Sequence, residues 1–214
     1  DDFKQPLAWD TSKVTYMGGT FQSADAFNSE LDWDTSKVRS MQSTFYDADA
    51  FNSQLVWDTS SVTTMAGTFN GAAAFNSELN WDTSKATSMG STFYGAEAFN
   101  QPIGGWDVSH VKTMDNTFAF AGAFDQDLQS WDVSSVSNMN WMFIDAAAFN
   151  RPGLYHWDVA GVASFERIFH NTPLASDMCS QQLVATAWSD VAAFVSAPSD
   201  HSGDTHASWV GVVG

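Results

Sequence analysis

Apolar residues along the chain alternate between two spacings. Val38, Met41 and Phe45 fall at i, i+3 and i+7, the spacing of one face of a short helix, whereas Leu55 and Trp57 sit two apart, as in a half-buried strand. Asp34-Thr35-Ser36 precedes the first pattern and supplies side chains that cap the exposed N–H groups of a helix start. Both patterns recur in step with seven Trp-Asp pairs: Trp9-Asp10, Trp33-Asp34, Trp57-Asp58, Trp81-Asp82, Trp106-Asp107, Trp131-Asp132 and Trp157-Asp158. The pairs are spaced 24, 24, 24, 25, 25 and 26 residues apart. A fixed period in this range predicts units that stack, because one unit alone cannot bury its apolar face. The expected fold class is α/β: a solenoid of about seven strand-helix coils of 24–26 residues with a parallel sheet.

Stacking turns every repeated position into a ladder. The Trp column, with Trp33, Trp57 and Trp81, and two Phe columns read as stacked core, with sugar binding as the alternative use of aromatic stripes. Asn28, Asn52, Asn76, Asn100 and Asn150, with Asp125 once in their place, read as a ladder whose amides satisfy backbone from coil to coil, with ligand binding as the alternative. Asp34, Asp58, Asp82 and their equivalents are expected to cap a helix in every coil. Like charges stacked about 5 Å apart repel unless each accepts hydrogen bonds or shares a cation, so calcium is the alternative. No Asp-x-Asp-x-Asp-Gly loop accompanies the Asp ladder, and no cofactor is expected.

Charge narrows the partners. With 25 acidic and 8 basic residues the net charge is −17, which repels phosphate backbones and argues against nucleic acid. Only 15% of residues are charged against 44% apolar, too much buriable surface for a disordered acidic chain. The single Cys179 excludes an internal disulfide framework. No apolar run approaches the ~20 residues that span a bilayer, so membrane contact is expected only through a partner or a missing anchor. The chain opens as DDFKQPLAW, the second half of a unit without a visible polar cap. A mature or trimmed product, or a partner over that end, is the expectation.

The unit A-F-N-x-x-L-x-x-W-D-x-S-x-V-x-x-M-x-x-x-F resembles the repeat of BspA-like leucine-rich-repeat surface proteins, in the form found in mycoplasma lipoproteins and marine microalgae. Phe99, Asn100, Ile103, Trp106, Asp107, Ser109, Val111, Met114 and Phe118 carry it, as do Phe124, Leu128, Trp131, Asp132, Ser134, Val136, Met139 and Phe143. Residues 3–169 follow this pattern, and 173–195 resemble the helical end that closes such arrays in algal members. The resemblance implies a leucine-rich-repeat-like solenoid, exported to the cell surface or the extracellular space and used for adhesion or protein contact. The first four units have Leu-x-Trp where the family has Leu-x-x-Trp, and five have Thr before the first Phe where Met is usual, so no binding residue carries over.

The less regular positions are therefore the candidate partner-binding face: Glu30, Asp32, Gln54, Val56, Glu78, Asn80, Asp127, Gln129, Tyr155 and His156. A solvated acidic surface is the plain alternative. A column of Thr20, Thr44, Thr68, Thr92 and Thr117 invites an ice-binding reading, disfavoured because it lies on the predicted helical side. Histidines are scattered and no Ser or Cys nucleophile has a motif around it, so an enzyme is not expected.

Beyond the repeat region of 1–172, a helical cap is expected over 173–198, with one helix from Ser176 to Ala197 burying Leu183, Ala187, Val191 and Phe194. Residues 199–214 read as a linker and an apolar tail, in which Trp209, Val210, Val212 and Val213 are candidates for docking. Two functions follow: a non-enzymatic, surface-exposed protein-binding or adhesion scaffold, or a structural subunit held in a larger assembly through its uncapped first coil or apolar tail. The second reading carries its own location, the lumen of an organelle.

Overall fold

In the computed structural model, which describes residues 7–197, the repeats stack as expected but not as strand and helix. Coils are numbered here from the Asp of each Trp-Asp pair, so coil 1 is residues 10–33, coil 2 is 34–57 and coil 7 starts at Asp158. Every coil opens with a tight turn, as in Val38 N–H to Thr35 C=O at 2.9 Å. One residue per coil then forms an isolated parallel bridge, joining Tyr16, Ser40, Thr64, Ser88, Thr113, Asn138 and Ser164 in series. After it comes a ribbon of consecutive turns. In coil 2 the N–H groups of Thr44, Tyr46 and Ala48 close turns onto Met41, Ser43 and Phe45, at 3.1–3.2 Å. Those of Met41, Ser43, Phe45 and Asp47 reach across to Thr64, Ala66, Thr68 and Asn70 of coil 3, at 2.7–3.1 Å.

The predicted helix is therefore absent from the described coils, and its replacement has a backbone cause. An α-helix needs every residue right-handed, yet two positions per coil have positive φ: Ser43 at 55° and Asp47 at 51° in coil 2, Gly67 at 63° and Gly71 at 74° in coil 3. Each such residue turns alternate N–H groups away from the coil's own preceding carbonyls and toward the next coil. The i, i+3, i+7 spacing of Val38, Met41 and Phe45 survives because the ribbon also sends all three inward, where they are fully buried.

The predicted parallel sheet is also absent, since single bridges are the only strand pairing among the described residues. Along the Leu-x-Trp segments the tryptophan ring takes over the cross-link. Trp33, Trp57, Trp106, Trp131 and Trp157 donate Nε1–H to the carbonyls of Leu7, Leu31, Leu79, Ile103 and Leu128, at 2.7–3.4 Å. Stacked Trp centroids lie 5.5–6.4 Å apart, wider than the ~4.8 Å of a backbone ladder. The strand-helix solenoid with a parallel sheet is thus corrected to a stack of turn-built coils.

Aromatic residues fill the middle of the stack. Within a coil the two Phe rings lie 3.8–4.1 Å apart, and from coil to coil each Phe column steps by 5.3–6.0 Å. Thr44, Thr68, Thr92 and Thr117 are fully buried beside them. Each hydroxyl donates to the Met carbonyl three residues earlier, and its oxygen also lies 3.1–3.2 Å from the Met carbonyl one coil back. Burial, not helical curvature, removes these four from any ice-facing surface.

At the far end the single predicted helix is three: α1 (Pro173–Ser176), α2 (Met178–Ala187) and α3 (Ala192–Ser196). Thr172 caps α1 by accepting from Ala175 N–H, and Asp177 caps α2 by accepting from Ser180 N–H. The chain breaks after α2 because Trp188 turns in to extend the Trp column, stacking on Trp157 at 6.3 Å. That break rotates the expected apolar face: Val184, Ala185, Trp188 and Phe194 are buried, whereas Leu183 and Ala187 are exposed.

Candidate functional site

The ladders hold the coils in place and leave the residues between them free. Asn28 Oδ1 accepts the N–H of Asn52 at 2.8 Å, and Asn52, Asn76 and Asn100 repeat the bond with the following coil at 2.8–3.0 Å. Asp125 takes the same place, accepting from Asn150 N–H and forming an ion pair with Arg151 at 2.7 Å. The Trp-Asp aspartates cap no helix, because none follows them. Each closes a turn: Asp34 Oδ1 accepts the Ser36 hydroxyl at 2.6 Å and its N–H at 3.1 Å. The serine hydroxyl, then the serine N–H, hold Asp10, Asp34, Asp58, Asp82, Asp107 and Asp132 below the ordinary carboxylate range. Among the described residues no three His, Cys, Asp or Glu side chains converge as a metal site.

In the Leu-x-Trp segments of coils 1–3, Leu and Trp are buried and the residues before and between them exposed. Glu30 and Asp32 of coil 1, Gln54 and Val56 of coil 2, and Glu78 and Asn80 of coil 3 are all exposed, Val56 by 84%. Two shallow furrows connect them. One, of about 250 Å³, runs between Glu30, Leu31, Asp32, Gln54 and Val56. The other, of about 290 Å³, runs between Gln54, Leu55, Val56, Trp57, Asp58, Glu78 and Asn80. They share Gln54 and Val56, so an apolar side chain stands between acidic groups. Glu30, Asp32 and Glu78 have no ion-pair partner among the described residues.

The remaining predicted positions form a second group. Coil 4 contributes Pro102, Gly104 and Gly105 and no charge. Gly104 lets coil 5 approach closely, since a Cβ there would meet the Asp127 carbonyl oxygen at 2.6 Å. Asp127 and Gln129 are joined by a 2.9 Å bond from the Gln129 N–H and lie beside the 3-10 turn Pro152–His156. That turn absorbs the longer spacing of coil 6 and leaves Tyr155 and His156 exposed, ring centroids 4.0 Å apart. The six residues of coils 1–3 are thus gathered into one surface, and the four of coils 5 and 6 into another.

At the first coil's outer end lies an opening of about 510 Å³ between Leu7, Trp9, Phe21 and residues 23–27, with Trp9 57% exposed. Leu55, Trp57 and Asp58 line the furrow without having been singled out as binding residues, because their regular places in the ladders mark them as framework. Trp209, Val210, Val212 and Val213 lie outside the described residues. No helix among the described residues is long and apolar enough to cross a membrane.

A protein-family model described as a Mycoplasma protein of unknown function, DUF285, matches residues 1–80 and 78–182. The chain belongs to the DUF285 family. This family is associated with BspA-like repeat proteins, which agrees with the resemblance carried by the repeat motif. The DUF285 match runs through all seven coils and ends within α2. No curated protein and no solved structure matches the chain.

Proposed function

We propose that this DUF285 chain is a non-enzymatic, surface-exposed scaffold that binds a protein partner, in adhesion or a comparable contact, through the Leu-Trp face of coils 1–3. The observation that carries the reading is the pair of joined furrows, where Val56 is 84% exposed between unpaired Glu30, Asp32 and Glu78. An exposed apolar side chain ringed by charge is the make-up of a contact centre with a polar rim. With a net charge of −17, the fitting partner presents a basic surface and associates faster at low salt. Export to the cell surface or extracellular space belongs to the same proposal. The test is the affinity of the partner that co-purifies from the native source. Val56→Asp combined with Glu30→Lys weakens it at least tenfold, whereas Gln22→Ala on the ribbon and Gln182→Ala on α2 leave it unchanged. Equal losses from all these substitutions contradict the reading.

One observation favours the second reading, a structural subunit held through its first coil. Beside the opening, Trp9 is 57% exposed while Phe21 is buried, so one indole offers apolar surface for a contact. Under this reading the protein is isolated only with other subunits, and Trp9→Ser releases it. A stable monomer on sizing rejects it.

A further inference from the structure

Away from the Leu-Trp face, two columns on the turn ribbon shorten in the middle of the stack. One runs Gln42, Ala66, Gly90, Asp115 through coils 2 to 5, and its neighbour runs Ser43, Gly67, Ser91, Asn116. The small residues leave an open trench of about 380 Å³. Gln42, Ser43, Tyr46, Asn70, Ser91 and Asp115 line it over a floor of Ala66, Gly67 and Gly90. Its coils step by 5.6–5.7 Å, so Gln42 and Asp115 stand three steps apart at the two ends.

The polar groups around the trench are uncommitted. The side chains of Gln42, Ser43, Tyr46, Asn70 and Ser91 make no hydrogen bond to the protein among the described residues. Asp115 leans over the floor, where a Cβ on Gly90 would meet its Oδ1 at 2.9 Å. Thr113 Oγ1 donates to that same oxygen and orients the carboxylate, which leaves Oδ2 to accept from a ligand. Two amides and the hydroxyls of Ser43, Ser91 and Tyr46 can each donate and accept, and the Tyr46 ring, half-buried in the wall, offers a flat apolar face.

This donor set selects its ligand. No Lys or Arg lines the trench, so an anion would meet only Asp115 in a chain of charge −17. The volume is near the lower end of small-molecule sites, ~300–1,000 Å³, but the lining is more polar than such sites usually are. The geometry points to a neutral oligosaccharide lying along the ribbon across coils 2 to 5. Its hydroxyls pair with Gln42, Asn70 and Asp115, and a ring face rests on Tyr46. The trench shares no residue with the Leu-Trp furrows, so the assignment stands or falls independently of the partner-binding reading.

Saturation-transfer NMR on the whole protein tests it with maltose and cellobiose, neutral disaccharides of opposite linkage. At least one gives transfer to its ring protons. Ala66→Phe, which fills the trench floor, abolishes the signal, and Asp115→Asn weakens affinity about tenfold. Val56→Asp leaves both unchanged. If Ala66→Phe does not fold, the pair Gln42→Ala and Asn70→Ala serves instead and loses the signal. Absence of transfer from both sugars, or transfer that survives the trench substitutions, overturns the assignment.

Discussion

Replacing Gly95 with Ala separates the turn ribbon from a helix by the sign of its effect. Gly95 has φ of 63°, and a Cβ there would find only Gly71 backbone atoms, at 3.8 Å. That is ordinary van der Waals contact, so the conformational cost stands alone. Placing an L-residue in the left-handed region costs about 1–2 kcal/mol. In a helix interior the same change would instead stabilise by about 1 kcal/mol, because glycine is the poorer helix former. For a chain of this size 1 kcal/mol moves the melting temperature by roughly 2–4 °C. Gly95→Ala therefore melts about 2–8 °C lower than the parent in calorimetry, with a matching fall in the urea midpoint. An unchanged or raised midpoint refutes the ribbon at this position.

Removing the Ser84 hydroxyl with Ser84→Ala takes away the largest influence holding Asp82 below the ordinary carboxylate range. A carboxylate depressed in the folded state stabilises above its unfolded pKa, and this is lost as pH falls through the folded value. Acid unfolding of Ser84→Ala, followed by Trp fluorescence, accordingly moves to higher pH, and no movement removes the serine from the account. Asp47 behaves oppositely: burial, then Asp49 and Asp25, push its carboxyl up, so its charge opposes folding at neutral pH. Asp47→Asn, which keeps a residue tolerant of positive φ, raises the melting temperature at pH 7 by an amount that fades as pH falls through the raised pKa. A gain independent of pH contradicts the electrostatic cause. Asn76→Ala leaves the Asn100 N–H without its acceptor, while the Gln101 amide keeps the Asn76 backbone carbonyl at 2.8 Å, and costs about 1–3 kcal/mol in urea unfolding. Asn76→Asp, which keeps an oxygen there as Asp125 does, costs less, and equal losses refute the role of the ladder.

The period, the inward Trp and Phe columns and the exposure of the candidate face are legible in the sequence, because each follows from residue type repeated in register. Backbone conformation is hidden by a coincidence of spacing. Val38, Met41 and Phe45 satisfy a helix and a turn ribbon alike, since both bring every third or fourth residue to one side. The distinguishing signal lies in two other columns. Gly19, Ser43, Gly67, Ser91 and Asn116 form one, and Ser23, Asp47, Gly71 and Gly95 the other, four residues away within each coil. Residues suited to turns recur there inside what reads as a helix. Phe120, Trp141 and Arg167 blur the pattern by occupying the same left-handed positions with φ of 58°, 55° and 48°. The Leu-Trp segments mislead for a different reason. Alternation correctly places Leu55 inward and Val56 outward, but says nothing of whether neighbouring segments pair. In the cap, the 3.6-residue period marks Leu183 as buried, and the inward turn of Trp188 defeats it. The trench is least legible, since it depends on Ala66 and Gly90 falling between Gln42 and Asp115 in columns that only the stacking aligns.

Scalar couplings transmitted through hydrogen bonds test the coil architecture most directly. The amide of Phe69 donates to the Thr92 carbonyl at 2.9 Å, that of Phe93 to Thr117 at 2.9 Å and that of Phe118 to Met142 at 2.8 Å, each one coil ahead. In a uniformly labelled sample the account predicts nitrogen-to-carbonyl couplings between these pairs. Couplings instead from Phe69, Phe93 and Phe118 to Met65, Met89 and Met114, four residues earlier, are the mark of helical coils and contradict it.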